Sequence, residues 1–234
     1  MKINVHAGHN ADGKVACGAV GLIKESTEAR KIKNEVIKQL KALGNTVYDC
    51  TVDNASSVSK NLSEIVNKCN AHTVDLDVSI HLNFGRHDKK GDGDNAGVEV
   101  WLYDTSSEAK TYAENVCKAV SSLGFDNRGL KYSTGLYVLK HTKAPAMLIE
   151  CCFVDDADDV KLYNYKTMAT AIVKGITGKT VSASGKNSST ASSSKTSTTT
   201  TLYKVQVGAY SKKANAESMV KKLKAAGFEA SIVL

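Results

Sequence analysis

No run of about 18 apolar residues occurs in the sequence, which excludes a transmembrane helix. The opening MKINVHAGHN turns polar too soon for a signal peptide. Read as a complete chain, with Met1 directly before a strand, it predicts synthesis in the cytoplasm without a secretion signal. A mature form with its signal removed is the alternative. No C-x-x-C pair is found among the six cysteines, Cys17, Cys50, Cys69, Cys117, Cys151 and Cys152, which argues against a structural zinc knuckle. Free, buried thiols are then the default. Adjacent Cys151 and Cys152 point to opposite faces of a strand and read as packing residues. Residues 180–201 have no aromatic side chain and almost no large apolar one, while 15 of the 22 positions are Ser or Thr. Such a segment cannot bury a core and reads as a flexible linker.

Acidic residues are scarce at one end only. Residues 179–234 hold nine Lys and two acidic groups, whereas basic and acidic groups balance in residues 1–178. The net charge of +7 therefore belongs to the tail. A basic tail favours anionic polymers or surfaces, or else merely solubilises a small module. What remains is ordinary for a globular protein: 42% hydrophobic and 24% charged residues over 234 positions. That length suits one medium domain plus something small.

The first part alternates strands and helices. KINVHA reads as a strand. Ala29, Ile32, Val36, Ile37 and Leu40 recur at helical spacing from Glu25 to Leu43, and Gly44 stops the helix. TVYDC, LDVSIHLN, GVEVWLY and the nearly continuous apolar APAMLIECCF read as further strands. Helices are expected over residues 56–72, 106–123 and 158–177. This pattern predicts an α/β fold: a twisted, largely parallel sheet flanked by helices, over residues 1–178. The linker is taken as 179–201. Residues 202–234 read as a small strand-helix-strand module (YKVQVGAYS, KANAESMVKKLKAAG, FEASIVL).

Ligands of open parallel sheets bind beyond the carboxyl ends of the strands. His9 follows the first strand, His81 closes VSIHLN, and Glu150 sits late in AMLIECCF. Glu25 starts the first helix. Two His and one carboxylate form a common catalytic zinc set that leaves a fourth position for water. A further carboxylate beside it can take and return a proton, and Glu150, flanked by Leu148, Ile149, Cys151 and Phe153, suits that role. Blander readings exist for each residue: His9 and His81 as hydrogen-bonded loop residues, Glu25 as a favourable partner of the helix dipole. Glu28, one turn on, competes with Glu25.

The motifs AGHN at 7–10, GAVGLIKE at 18–25, SIHLN at 79–83, GVEVW at 97–101 and APAMLIECCFVDD at 144–156 follow one another as in the zinc-dependent N-acetylmuramoyl-L-alanine amidases of the Amidase 3 type. The resemblance covers residues 1 to about 177. It implies one Zn2+ held by His9, Glu25 and His81, with Glu150 as catalytic acid/base. The implied reaction cleaves the amide between the lactyl group of N-acetylmuramic acid and L-alanine of peptidoglycan. Many members have aspartate-proline-glycine-histidine where this sequence has His6-Ala7-Gly8-His9. His6 is thus an extra histidine near the metal, expected behind the ligands or facing solvent. His87 and His141 are loop residues that could touch substrate, and Arg86–Asn95 is either a mobile rim or plain surface.

The tail resembles the first half of a SPOR domain, a peptidoglycan-binding module. Peptidoglycan is then the expected partner, with anionic wall polymers rather than nucleic acid for the basic tail, and no membrane insertion. The catalytic segment is similar to clostridial phage endolysins, which act on the wall after release. A bacterial autolysin, a zinc peptidase acting on stem peptides, and a wall-binding protein with a dead site are the competing readings.

Overall fold

The computed structural model describes residues 1–181 and 213–225. The chain divides into two units, Met1–Ser184 and Gly185–Leu234. In the first unit the elements run β1 (Lys2–Ala7), α1 (Glu25–Ala42), β2 (Thr46–Asp49), α2 (Val58–Asn70), β3 (Leu76–Asn83), β4 (Val98–Leu102), α3 (Lys110–Ser121), β5 (Asn127–Tyr132), α4 (Tyr137–His141), β6 (Ala146–Phe153), α5 (Ala157–Leu162) and α6 (Tyr165–Thr177). One six-stranded sheet has the order β2-β1-β3-β6-β4-β5. Every neighbouring pair is parallel except β4 with β6, which is antiparallel. The expected α/β architecture is present, with one reversed strand pair that no local pattern announces.

Helices cover both faces. Ile3, Val5 and Ala7 of β1 join Ile32, Val36 and Leu40 of α1 and Met168, Ile172 and Ile176 of α6 in the main core. A smaller cluster on α2 and α4 gathers Cys50, Val52, Ile65, Val66, Cys69 and Val138. Cys151 and Cys152 are fully buried, and all six cysteines are free. Burial pushes both of those thiols well up, which keeps them protonated and inert.

Three details differ from the pattern read off the sequence. The helix expected over 158–177 is two, because Asn164 caps α6, its side chain accepting from the Lys166 and Thr167 backbone N–H groups. The helix expected from 106 starts at Lys110, since Asp104 holds Ser106 and Ser107 in a turn. Strand β5 and the short helix α4 have no strong periodicity of their own and were not anticipated. In the second unit, α7 (Lys213–Ala225) matches the expected tail helix. The two strands expected in the tail, and all of the Ser/Thr-rich segment beyond Val181, lie outside the described residues. Among the described residues no helix is long and apolar enough to cross a membrane.

The connectivity places the site. β1 leads through α1 to β2 on one side, and β2 leads through α2 to β3 on the other. The strand order thus reverses at the β1/β3 junction, where a crevice opens beyond the carboxyl ends.

Candidate active site

His9, Glu25 and His81 meet in that crevice. His9 lies two residues beyond β1, held with φ 60° in the left-handed region that non-glycine residues rarely adopt. Arg30 helps fix this turn by donating to the His9 carbonyl at 2.9 Å. His81 is near the end of β3, and Glu25 opens α1. Glu25 Oε1 lies 3.2 Å from His9 Nε2 and 3.0 Å from His81 Nδ1. Tetrahedral zinc with nitrogen and oxygen ligands spaces its donors at about 3.4 Å. The donor set and its spacing therefore fit a single metal ion, and all three ligand atoms lie within 4.8 Å of one another.

Two glycines make this approach possible. A Cβ at Gly8 would collide with the His81 imidazole. Gly18 has φ +80°, and a Cβ there would come within 2.7 Å of Glu25 Oε2 and 2.8 Å of the His9 ring. Glu25 Oε2 also accepts the Ala19 backbone N–H at 2.9 Å. Burial opposes ionisation of Glu25, but hydrogen bonds from His81 and then His9 outweigh it and hold the carboxyl well below the usual range. Glu25 is thus anionic and aimed, as a ligand must be.

Glu150 stands next to this trio. Its Cα is paired with that of His81 across β3–β6 and with that of Glu99 across β4–β6. Directly opposed residues share a face, so His81, Glu150 and Glu99 form a row across three strands. Among the described residues Glu150 Oε2 is buried with no hydrogen-bond partner. Burial, then the charges of Glu25 and Glu99, push its carboxyl up to about 8. An unpartnered carboxyl beside this trio, poised near neutral pH, can carry a proton in both directions.

Glu28 is not part of the cluster. Its carboxylate is taken up by Lys31 at 2.8 Å and by the Tyr163 hydroxyl at 3.1 Å. His6 does not face solvent: it is fully buried, opposite Ser79 in the β1–β3 ladder and one step below His81. Burial first, and His81 second, lower its pKa to about 3, so the ring stays neutral. His87 lies outside the trio with its Nδ1 3.5 Å from Asp155, and His141 ends α4 with its ring against Tyr137. The Arg86–Asn95 stretch is pinned by carboxylates: Asp155 accepts from the Gly85 and His87 N–H groups, Asp88 from Gly91 and Asp92, and Asp158 from Gly93.

Residues that sequence reasoning passed over surround Glu150. Glu99 is buried and accepts from Asn83 Nδ2 at 3.0 Å, Trp101 Nε1 at 3.1 Å and Arg128 Nε at 2.8 Å. The signal was present in GVEVWLY. Val98, Val100 and Leu102 claim one face of that strand, which leaves a carboxylate on the other, interior-facing side.

The family model described as N-acetylmuramoyl-L-alanine amidase (Amidase 3) matches residues 3–178, and the SPOR domain model matches residues 179–234. An uncharacterized 38.4 kDa protein of Clostridium perfringens is 36% identical over 180 residues, covering 75% of this chain and 51% of its own length. A second uncharacterized protein of Clostridium perfringens is 35% identical over 71% of this chain and 48% of its own, so the chain spans about half the length of these curated relatives. The sporulation-specific N-acetylmuramoyl-L-alanine amidase of Bacillus subtilis is 24% identical over 239 residues, covering 100% of this chain and 85% of its own. Among solved structures, the catalytic domain of an endolysin targeting Clostridia Difficile superimposes with a TM-score of 0.67 at 26% identity, covering 77% of this chain and 99% of that one. The trio at the β1/β3 junction and the match across residues 3–178 agree: the chain belongs to the N-acetylmuramoyl-L-alanine amidase family.

Proposed function

We propose that this protein hydrolyses the amide bond between N-acetylmuramic acid and L-alanine in bacterial peptidoglycan, with one Zn2+ held by His9, Glu25 and His81 and with Glu150 as acid/base. The observation that carries this reading is the unpartnered Glu150 carboxyl opposite His81, beside a donor set spaced for one metal ion. When bound, zinc supplies Lewis acidity that polarises a carbonyl and acidifies water. The protein's own groups do the rest. Glu25, ionised and fixed by the Ala19 N–H, contributes the negative charge of the site. Glu150 takes a proton from the attacking water as the new C–O bond forms. It returns that proton to the L-alanine nitrogen as the C–N bond breaks.

The proposed organisation is a catalytic domain over 1–178, a linker over 179–201 and a wall-binding module over 202–234. The match to the SPOR domain supports wall binding by the tail, and the Lys excess of residues 179–234 suits anionic wall polymers. We place the activity at the cell wall, as a lytic enzyme of the endolysin type. Similarity to an endolysin of Bacillus phage SPP1 (28% identical over 178 residues) supports that reading. Similarity to a sporulation-specific amidase and to a second N-acetylmuramoyl-L-alanine amidase of Bacillus subtilis keeps a bacterial autolysin of the same chemistry beside it. The test is to incubate purified walls with the zinc-supplemented protein. New L-alanine amino termini without new reducing sugars are expected. Release of other amino termini would assign a stem-peptide peptidase, and no release would overturn the enzymatic reading.

A further inference from the structure

One cation at the site is built in with more care than a surface residue requires. Val98 pairs with Asn127 and Val100 with Leu130, so two residues, Arg128 and Gly129, oppose Glu99 alone. This is a β-bulge, and Gly129 supplies it with a left-handed φ of 73°. A bulge re-aims a side chain. Here it turns Arg128 toward Glu99, so that Nε donates to Glu99 Oε2 at 2.8 Å and the guanidinium carbon lies 5.0 Å from the Phe153 ring centroid.

A second bulge delivers Phe153. His81 pairs with Glu150 but Asn83 pairs with Phe153, which shifts β6 by one residue and brings Phe153 onto the face of His81 and Glu150. Asn83 then donates to Glu99 as well. The guanidinium is thus held through Nε and by its place over the Phe153 ring. Among the described residues its two terminal nitrogens have no hydrogen-bond partner, and the side chain remains 34% exposed. A guanidinium held by Nε and over an aromatic ring, with its terminal nitrogens free, matches the planar geometry of a carboxylate.

From these features we infer that Arg128 is a specificity-determining residue that binds a carboxylate of the peptide stem. The inference rests on the amidase reading above. β6 and β5 are two strands apart, so the Arg128 backbone lies about 10 Å from that of Glu150. One stem residue spans about 3.8 Å, so the residue after L-alanine comes within reach of a long side chain. In peptidoglycan that residue is a γ-linked D-glutamate whose α-carboxyl is free in some walls and amidated in others. Glu25 and Glu99 would repel a free carboxylate, and Arg128 offsets that repulsion beside Glu99. Lys131, paired with Trp101, adds positive charge further along.

The test uses two purified disaccharide tripeptides that differ only in this group, isoglutamate against isoglutamine, with the full-length zinc-loaded protein. The native protein is expected to favour the acid by about tenfold in kcat/KM, mostly through KM, as a charge-assisted pair would give. In R128Q that ratio is expected to fall to near one, while R128K, which keeps the charge but not the planar fork, is expected to retain part of it. The inference is overturned if the native ratio is already near one. It is also overturned if either variant lowers both substrates alike, which would make Arg128 only a support for Glu99. Failure of the native protein to cleave either substrate would instead remove the amidase reading, and this inference with it.

Discussion

Glu150 and His81 are directly opposed in the parallel β3–β6 ladder, so the carboxyl proposed to move the proton is set by strand register beside a proposed metal ligand. Register is a rigid constraint: a one-residue slip would turn every side chain of β6 to the other face. Glu150→Gln keeps the shape and removes the proton carrier. Activity on purified walls is expected to fall by about 10²–10⁴-fold, the usual worth of a positioned acid/base. Zinc content, measured by elemental analysis, is expected to stay at one per chain. Wild-type lysis by this variant would refute the role given to Glu150.

Removal of the metal should cost stability as well as activity. A ligand that binds only the folded state stabilises it by about 4 kcal/mol at a thousandfold excess over its Kd. Dialysis against a chelator is therefore expected to abolish wall hydrolysis and lower the melting temperature, with both restored by zinc. In His81→Ala the restoration of both is expected to fail, because one of the three donors is gone. A melting temperature indifferent to zinc would speak against the trio as a metal site.

Gly8→Ala tests the close approach itself. The added Cβ would run into the His81 ring, which also stands against Glu25. The ring must then move, and the donor spacing of the trio is lost. Activity is expected to drop at least about 100-fold, in line with the steep cost of a small misplacement at a reacting centre. Circular dichroism should remain native, since the sheet core of Ile3, Val5 and Ala7 is untouched. Near-normal activity would mean that the site has more room than the Gly8–His81 contact indicates.

The trio was legible because each member follows a recognisable local feature. His9 comes after a buried strand, His81 ends one, and Glu25 starts a helix whose periodicity is clear. Parallel topology then brings such ends together without further information. What keeps Glu28 out was not legible, since it depends on Tyr163 and Lys31 claiming that carboxylate. Nor was the burial of His6 opposite Ser79. Arg128 and Glu99 were hidden for a related reason. Their meeting depends on the bulge in the parallel β4–β5 pairing, and their place beside Glu150 on the antiparallel β4–β6 pairing, and both are set by long-range register rather than by local composition.

A buried carboxylate far from the crevice offers a test of the fold's own electrostatics. Asp77 accepts from Asn4 Nδ2 at 2.6 Å, while its Oδ2 and Asn4 Oδ1 have no partner among the described residues. Burial raises its pKa from 3.8 to about 6, against the opposing hydrogen bonds of Asn4 and Cys69. Below the unfolded value the proton is bound in both states, and the carboxyl costs the fold nothing. Between 3.8 and about 6 the folded state keeps a proton that the unfolded chain releases, so stability falls as pH rises through that window. Above it the loss is complete, at roughly 2–3 kcal/mol. Asp77→Asn stays neutral and retains an acceptor for Asn4. The variant is expected to gain on the native protein steadily between pH 4 and 6.5 in urea unfolding, then to hold a constant advantage to pH 8. An advantage that does not change with pH would show that Asp77 is not the group titrating.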